Sequence, residues 1–417
     1  MKQTIIKILF LLLAVIFSGN ELISSGKETS VTVTEKFRLG NENLHSIYFS
    51  EIQNKKSAIV TNNSGINSEG EHIVDMLKNI RGSFPIKIFS PEHGFRGDDN
   101  DTDHLDEVTG IPVITLYGNK KKPTKSELED VEVIIYDIQD VGARFYTYIN
   151  TMYYCMEAAI ENNKKLVICD RPIIPNPNYI DGFMLDNDVK SFVGLLDIPI
   201  SYGLTIGELA NYINQTEFNG KCDLFISKMS GYSRNMDYNN LGIVWKNPSP
   251  SMLYPSTAVT YSGTCLLEGS NFAEGRGTDK PFEYVGAPYC DGDLLKSEMD
   301  KFGFEGVKFE SIEFTPTSIT SPSNPPKFVG KKCEGVYIKI TDKSKAEPVK
   351  IGIALLVTLN KNFPQFKIRN DKFLDKLSGT KKLRTMIENG TDYNTIISSY
   401  ETPLKKYKDT IASFYLY

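Results

Sequence analysis

Residues 90–97 read Ser90-Pro91-Glu92-His93-Gly94-Phe95-Arg96-Gly97, placing a carboxylate, an imidazole and a guanidinium within five residues. A buried strand has no use for such a mixture. A loop at a strand's C-terminal end does, because open α/β sheets place their ligands there. A carboxyl set between Pro91 and Phe95 is partly shielded from water, which favours its neutral, proton-donating form. Glu92 is therefore expected to be a catalytic acid, with His93 and Arg96 beside it as substrate contacts.

Three further segments are dense in polar residues. The first, Tyr136 to Tyr146, holds Asp137, Asp140, Arg144 and Tyr146. The second is Asp170-Arg171-Pro172, and the third, Leu267 to Thr278, holds Glu268, Glu274 and Arg276 among glycines. Carboxylates, arginines and tyrosines with no nucleotide loop suit glycoside hydrolysis. There one carboxylic acid protonates the leaving oxygen, and a second group activates water or stabilises the cation. Asp137, Asp140, Glu268 and Glu274 are candidates for the second group, and Glu274 ranks first because glycine flanks it. Arg144, Arg171 and Arg276 point to an anionic substrate held by bidentate contacts. Tyr146 is expected to meet the sugar, while Phe145 and Tyr148, at helical spacing, are expected in the core. The proline-stiffened stretch Trp245 to Met252, with Asn247, is expected to join the two halves and line their cleft.

The elements that would position these groups follow from hydrophobic patterning. Strands are predicted at Ser57–Val60, Ile86–Phe89, Val113–Tyr117, Val131–Ile138, Lys165–Cys169 and Cys222–Lys228, with helices at His72–Ile80, Phe145–Glu161 and Thr205–Asn214. Strands alternating with helices mean a mostly parallel sheet covered on both faces. After residue 256 the pattern becomes α+β. Helices are predicted at Thr257–Leu267, Leu294–Phe302, Val349–Leu359 and Asn394–Leu416, strands at Val307–Phe314 and Gly335–Thr341, and irregular chain at Pro316–Pro326. The fold class is thus α/β, a Rossmann-like domain over 37–256, with a smaller α+β domain over 257–417 completing the cleft.

Several function classes are excluded. The net charge of −5 leaves no electrostatic footprint for nucleic acid. No Gly-x-Gly-x-x-Gly follows the first strand and no Walker lysine loop occurs, so no nucleotide partner is expected. Neither zinc spacing nor a Gly-x-Ser-x-Gly elbow is present. Asp99, Asp101 and Asp103 alternate like calcium ligands, but His104 and Gly110 occupy the glycine and glutamate positions of such a loop. A solvated rim is the better reading, and no cofactor or metal is expected. Lys2 and Lys7 ahead of the apolar run Ile8–Phe17, then Ser18-Gly19, read as a secretory signal peptide over 1–19. A mobile leader over 20–36 would follow, with no stable membrane insertion once the signal is removed. Export permits disulfides, yet the six cysteines are scattered and read as buried free thiols.

Taken together, these segments resemble a known family. They are Pro91 to Gly97, Tyr136 to Tyr148, Asp170-Arg171-Pro172, Gly203-Leu204-Thr205-Ile206-Gly207-Glu208-Leu209-Ala210, Asn247-Pro248-Ser249-Pro250, and Leu267 to Thr278 followed by Lys280-Pro281-Phe282-Glu283. They are similar to the NamZ-type exo-β-N-acetylmuramidases, long catalogued as a domain of unknown function, and the likeness runs from about Ser57 to the C-terminus. It implies an enzyme that removes terminal β-linked N-acetylmuramic acid from the non-reducing ends of peptidoglycan fragments, in a cleft between two domains; the signal peptide would make it an exported one, periplasmic or extracellular. The family's glutamate in Pro-Glu-His-Gly falls on Glu92, and the lactyl carboxylate of the sugar would account for the arginines. Ile173-Ile174, Tyr202, Ser251 and Ser262 depart from the family's usual residues and bear on fine substrate preference. Two other readings remain: a non-catalytic binder of peptidoglycan fragments, and an amidase or esterase on the same scaffold.

Overall fold

The computed structural model describes residues 36–97, 101–174, 176–317 and 325–417. The segment read as a signal peptide, nearly all of the leader, Asp99 of the acidic run and most of Pro316–Pro326 lie outside the described residues. Helix α1 (Gly40–Ser46) precedes the sheet, whose strands are β1 (Lys56–Thr61), β2 (Phe84–Ser90), β3 (His104–Leu105), β4 (Pro112–Thr115), β5 (Val133–Asp137), β6 (Lys165–Cys169) and β7 (Leu224–Ser227). Their order is β3-β4-β2-β1-β5-β6-β7. Every pairing is parallel except β3 with β4. Leaving aside the β3 edge, this is the doubly wound order, with its switch point between β1 and β5.

Because side chains alternate across a strand, the register builds a core on each face. Ile59 lies beside Ile88 and Ile135 and packs with Leu44, Ile73 and Leu77. On the opposite face Val60, Ile134 and Tyr136 pack with Ile149, Met152 and Leu209. The covering helices are α2 (Ile73–Lys78), α3 (Tyr148–Glu161) and α4 (Ile206–Thr216). A capping box starts α4: the Glu208 amide donates to the Thr205 hydroxyl, and the Thr205 amide to the Glu208 carboxylate. Helix α3 starts at Tyr148 rather than at the predicted Phe145. Gly142 is left-handed, with φ +69, and the Tyr146 amide closes a turn on the Ala143 carbonyl. The turn keeps Phe145, Tyr146 and Thr147 out of the helix.

The second half opens with α5 (Pro255–Thr264). It adds β8 (Tyr284–Ala287), α6 (Gly292–Asp300), β9 (Val307–Phe314), β10 (Cys333–Ile340), α7 (Pro348–Asn362), α8 (Phe373–Ser378), α9 (Lys381–Glu388) and α10 (Tyr393–Ile411). The strands form an antiparallel sheet ordered β8-β10-β9. Helices α5 and α7 cross at glycine: any side chain at Gly263 would strike the Pro348 carbonyl. Ile200, Leu266, Leu355 and Tyr400 belong to one continuous core, so both halves share a hydrophobic interior, and residues 36–417 form one unit. The last residues return to the first half. The Tyr417 hydroxyl donates to Asp170 (2.7 Å), the Leu416 amide donates to Glu208 (2.8 Å), and the Tyr415 ring lies 3.8 Å from the Arg234 guanidinium. All six cysteines are buried and unpaired. No helix among the described residues is long and apolar enough to cross a membrane.

Candidate active site

The chain leaves β2 through a sharp turn in which His93 and Gly94 are both left-handed, at φ +75 and +78. Glu92 and His93 thereby stand on the wall of a cavity of about 220 Å³. Tyr117, Phe145, Tyr146, Thr147, Phe192 and Val193 line the same cavity from the first half. Ser249 to Met252 line it from the joining segment, and Tyr261, Cys265, Glu268, Arg276, Phe282, Phe373 and Leu377 from the second. Hydrophobic and aromatic walls with a few convergent polar groups are the usual make-up of a small-molecule site.

Glu92 is half-buried, and its Oε2 accepts a hydrogen bond of 2.9 Å from the Thr147 hydroxyl. Tyr146 packs edge-on against Tyr148 and Tyr261, with ring centroids 4.9 and 5.7 Å apart; burial pushes its phenol well above the ordinary value. The loop after β1, at the switch point, grips the joining segment instead of a phosphate. Asn62 and Asn63 donate to the Pro248 and Asn247 carbonyls at 2.9 and 2.8 Å, and the Tyr148 hydroxyl donates to the Pro248 carbonyl at 2.6 Å. Asn247 does not itself line the cavity; its side-chain amide reaches the Ser249 carbonyl at 3.3 Å.

On the opposite wall Arg276 donates through Nε and Nη2 to Glu268 Oε1, at 3.2 and 2.8 Å, and through Nη1 to the Ser251 hydroxyl at 2.9 Å. Its guanidinium lies 4.8 Å over the Phe282 ring. Glu274, ranked first as the second carboxyl, is only 2% exposed and stands behind the cavity. It is ion-paired with Lys327 at 2.6 Å and lies 3.7 Å from Arg276. Of the four candidates for the second group, Glu268 is the one that lines the cavity.

The other arginines are engaged elsewhere. Arg96 forks onto Asp75 (2.7 and 3.0 Å) and Asp106 (2.7 and 2.9 Å), tying α2 to the loop before β4. Burial alone would raise the Asp106 carboxyl, but Arg96 and Thr109 outweigh it and hold the group well below the usual range. Arg171 and Asp137 form a buried pair at 2.6 and 2.9 Å where β5 and β6 end, and Asn41 donates to the same carboxylate. Arg144, fully buried, donates to the Phe183, Ile198 and Leu377 carbonyls at 2.7, 2.6 and 3.1 Å. Arg96, Asp137, Arg144 and Arg171 thus lie outside the cavity lining and brace the fold. Among the described residues, Arg276 is the one arginine or lysine that lines the cavity. Asp140 is also buried, outside the cavity lining, and accepts hydrogen bonds from the Tyr202 hydroxyl and the Gly142 amide. Burial pushes its carboxyl up to about 6. Thr147, Tyr117 and Tyr261 escaped the sequence reading, since nothing beside them in the chain marks them as cavity residues.

Comparison with known proteins agrees with the motif resemblance. Residues 57–256 match the family profile described as exo-beta-N-acetylmuramidase NamZ, N-terminal, and residues 259–417 match its C-terminal counterpart. The chain is 39% identical over 387 residues to the peptidoglycan beta-N-acetylmuramidase NamZ of Bacillus subtilis (strain 168), covering 92% of each. Two crystal structures of DUF1343 family proteins from Bacteroides fragilis superpose with TM-scores of 0.85 and 0.74, at 29% and 32% identity. Each comparison covers 92% of this chain and 99% of the other.

Proposed function

The chain belongs to the NamZ exo-β-N-acetylmuramidase family, and from that premise we propose how its cavity works. The enzyme is an exo-acting glycoside hydrolase that releases terminal β-linked N-acetylmuramic acid from the non-reducing ends of peptidoglycan fragments. One observation carries the residue assignment: Glu92, held by Thr147, and the Arg276–Glu268 pair line one aromatic cavity from different halves of the chain. Glu92 protonates the glycosidic oxygen as the bond to the anomeric carbon breaks. Water adds to that carbon, and the proton it loses restores the acid. Glu268 supplies negative charge beside the developing cation. Arg276 meets the lactyl carboxylate, the group that distinguishes muramic acid from glucosamine.

Glu92→Gln tests the acid. The expected variant unfolds like the wild type, binds muramic acid and releases none from a β-linked chromogenic muramide; full turnover would remove Glu92 from the mechanism. Mass spectrometry of digested peptidoglycan fragments separates this reading from its rivals. Free N-acetylmuramic acid supports the hydrolase, released peptide an amidase, and retention without cleavage a binding protein. We also propose export, on the basic and apolar pattern of residues 1–19. N-terminal sequencing of protein recovered outside the cytoplasm tests it.

A further inference from the structure

Lys327 lines no part of the cavity, yet it contacts the loop bearing Glu268 and Arg276 at three points. Its Nζ donates to the Leu267 carbonyl at 3.1 Å, the Phe272 carbonyl at 2.9 Å and Glu274 Oε2 at 2.6 Å. Glu274 is almost wholly buried, and a buried carboxylate is costly unless a cation compensates it. Two cations are near enough. Lys327 is in contact, and Arg276 Nε stands off at 3.7 Å. Arg276 therefore has two carboxylates within reach and is committed to one. Its fork closes on Glu268, which leaves Nη1 on Ser251 at the cavity wall. Without Lys327, Coulomb attraction, which grows as the inverse of distance, would draw the guanidinium back towards Glu274 and away from the cavity.

We propose that Lys327 is a positioning residue for substrate recognition. By neutralising Glu274 it keeps Arg276 directed at Glu268, Ser251 and the acidic arm of the sugar. This role rests on the assignment of Arg276 made above.

Lys327→Met keeps the unbranched stem, one atom shorter, and removes the charge. The expected result is a KM for the β-linked muramide raised tenfold or more, with kcat changed less than threefold. Inhibition by N-acetylmuramic acid should weaken in parallel, and inhibition by N-acetylglucosamine should hold within twofold. In Lys327→Met/Glu274→Gln both charges are gone, and KM should return to within threefold of the wild type. A lysine that merely pinned the two carbonyls would leave the double variant as impaired as the single, and that result would overturn the proposal. So would an unshifted KM in a folded Lys327→Met. Should the methionine variant not fold, Lys327→Arg keeps the cation: KM within threefold supports the role, and a tenfold rise refutes it. A wild type that released no muramic acid would instead refute the assigned activity, so the two failures are separable.

Discussion

Arg276→Lys is the sharpest test of how the cavity recognises an acid. The arginine makes three hydrogen bonds, two to Glu268 and one to Ser251, from a fork that is 15% exposed. Lysine keeps the charge but offers a point donor on a flexible stem, so it can serve Glu268 or a substrate carboxylate without bridging them. Losing one hydrogen bond to a charged group costs about 1.5–3 kcal/mol. At about 1.4 kcal/mol per factor of ten, that predicts a fall of roughly 10- to 100-fold in kcat/KM. The assay is initial-rate release from a β-linked muramide, with free N-acetylmuramic acid and N-acetylglucosamine as competing inhibitors. Muramic acid should lose its advantage over glucosamine by a similar factor. If Arg276→Lys slowed turnover yet kept the full preference for muramic acid, the arginine would be holding Glu268 rather than reading the lactyl group.

Other perturbations separate chemistry from scaffold. Thr147→Val preserves shape while deleting the 2.9 Å donor to Glu92; the carboxylate that forms as the proton leaves then lacks a bond worth about 1.5–3 kcal/mol, which predicts a roughly 10- to 100-fold lower kcat in an initial-rate assay. Arg144→Met strips the donor from three carbonyls. It should destabilise the fold by about 3 kcal/mol or more in denaturant titration, while kcat/KM per folded molecule holds within threefold; a selective loss of muramic acid binding would contradict the bracing role. Asp140→Asn should alter the pH dependence of stability. Burial lifts this carboxyl from 3.8 to about 6, so the native state keeps the proton to higher pH than the unfolded chain does. The wild type's stability should therefore decline relative to the asparagine variant between those two values, by up to about 3 kcal/mol, and run parallel above them. Chemical unfolding of both proteins across pH 4 to 8 measures the gap, and a constant difference would refute the assignment.

Hydrophobic period and loop chemistry make the main sheet and Glu92's place on a strand-end loop readable in the residue pattern alone. The run Ile86–Phe89 lies within β2, and the polar loop behind it forms cavity wall. The Thr205–Glu208 pair marks the start of α4 because a capping box is local. Less legible were short elements whose partners lie far away. The two-residue β3 and four-residue β8 are too brief for a period to emerge. The arginines show the same limit. Nothing within a few residues of Arg144 says that its acceptors are the carbonyls of 183, 198 and 377. Glycine beside Glu274 signalled freedom of the backbone but not the direction of the side chain. That direction is tied to Lys327, distant in sequence. Thr147 had no signal of its own, since its role exists only once the turn at Gly142 sets it beside Glu92.

The tail that ends at Tyr417 bears on how sugar enters and leaves. A jaw-like parting of the halves would tear a phenol from Asp170 and an amide from Glu208, wetting carboxylates that the closed fold keeps dry. Shifting the rim is cheaper. Ser249 to Ser251 lie half-buried along the seam, ahead of the buried Met252, and the segment is secured at its root by Asn62, Asn63 and Tyr148. Sugar would then enter and leave past that rim while the tail keeps the two halves latched.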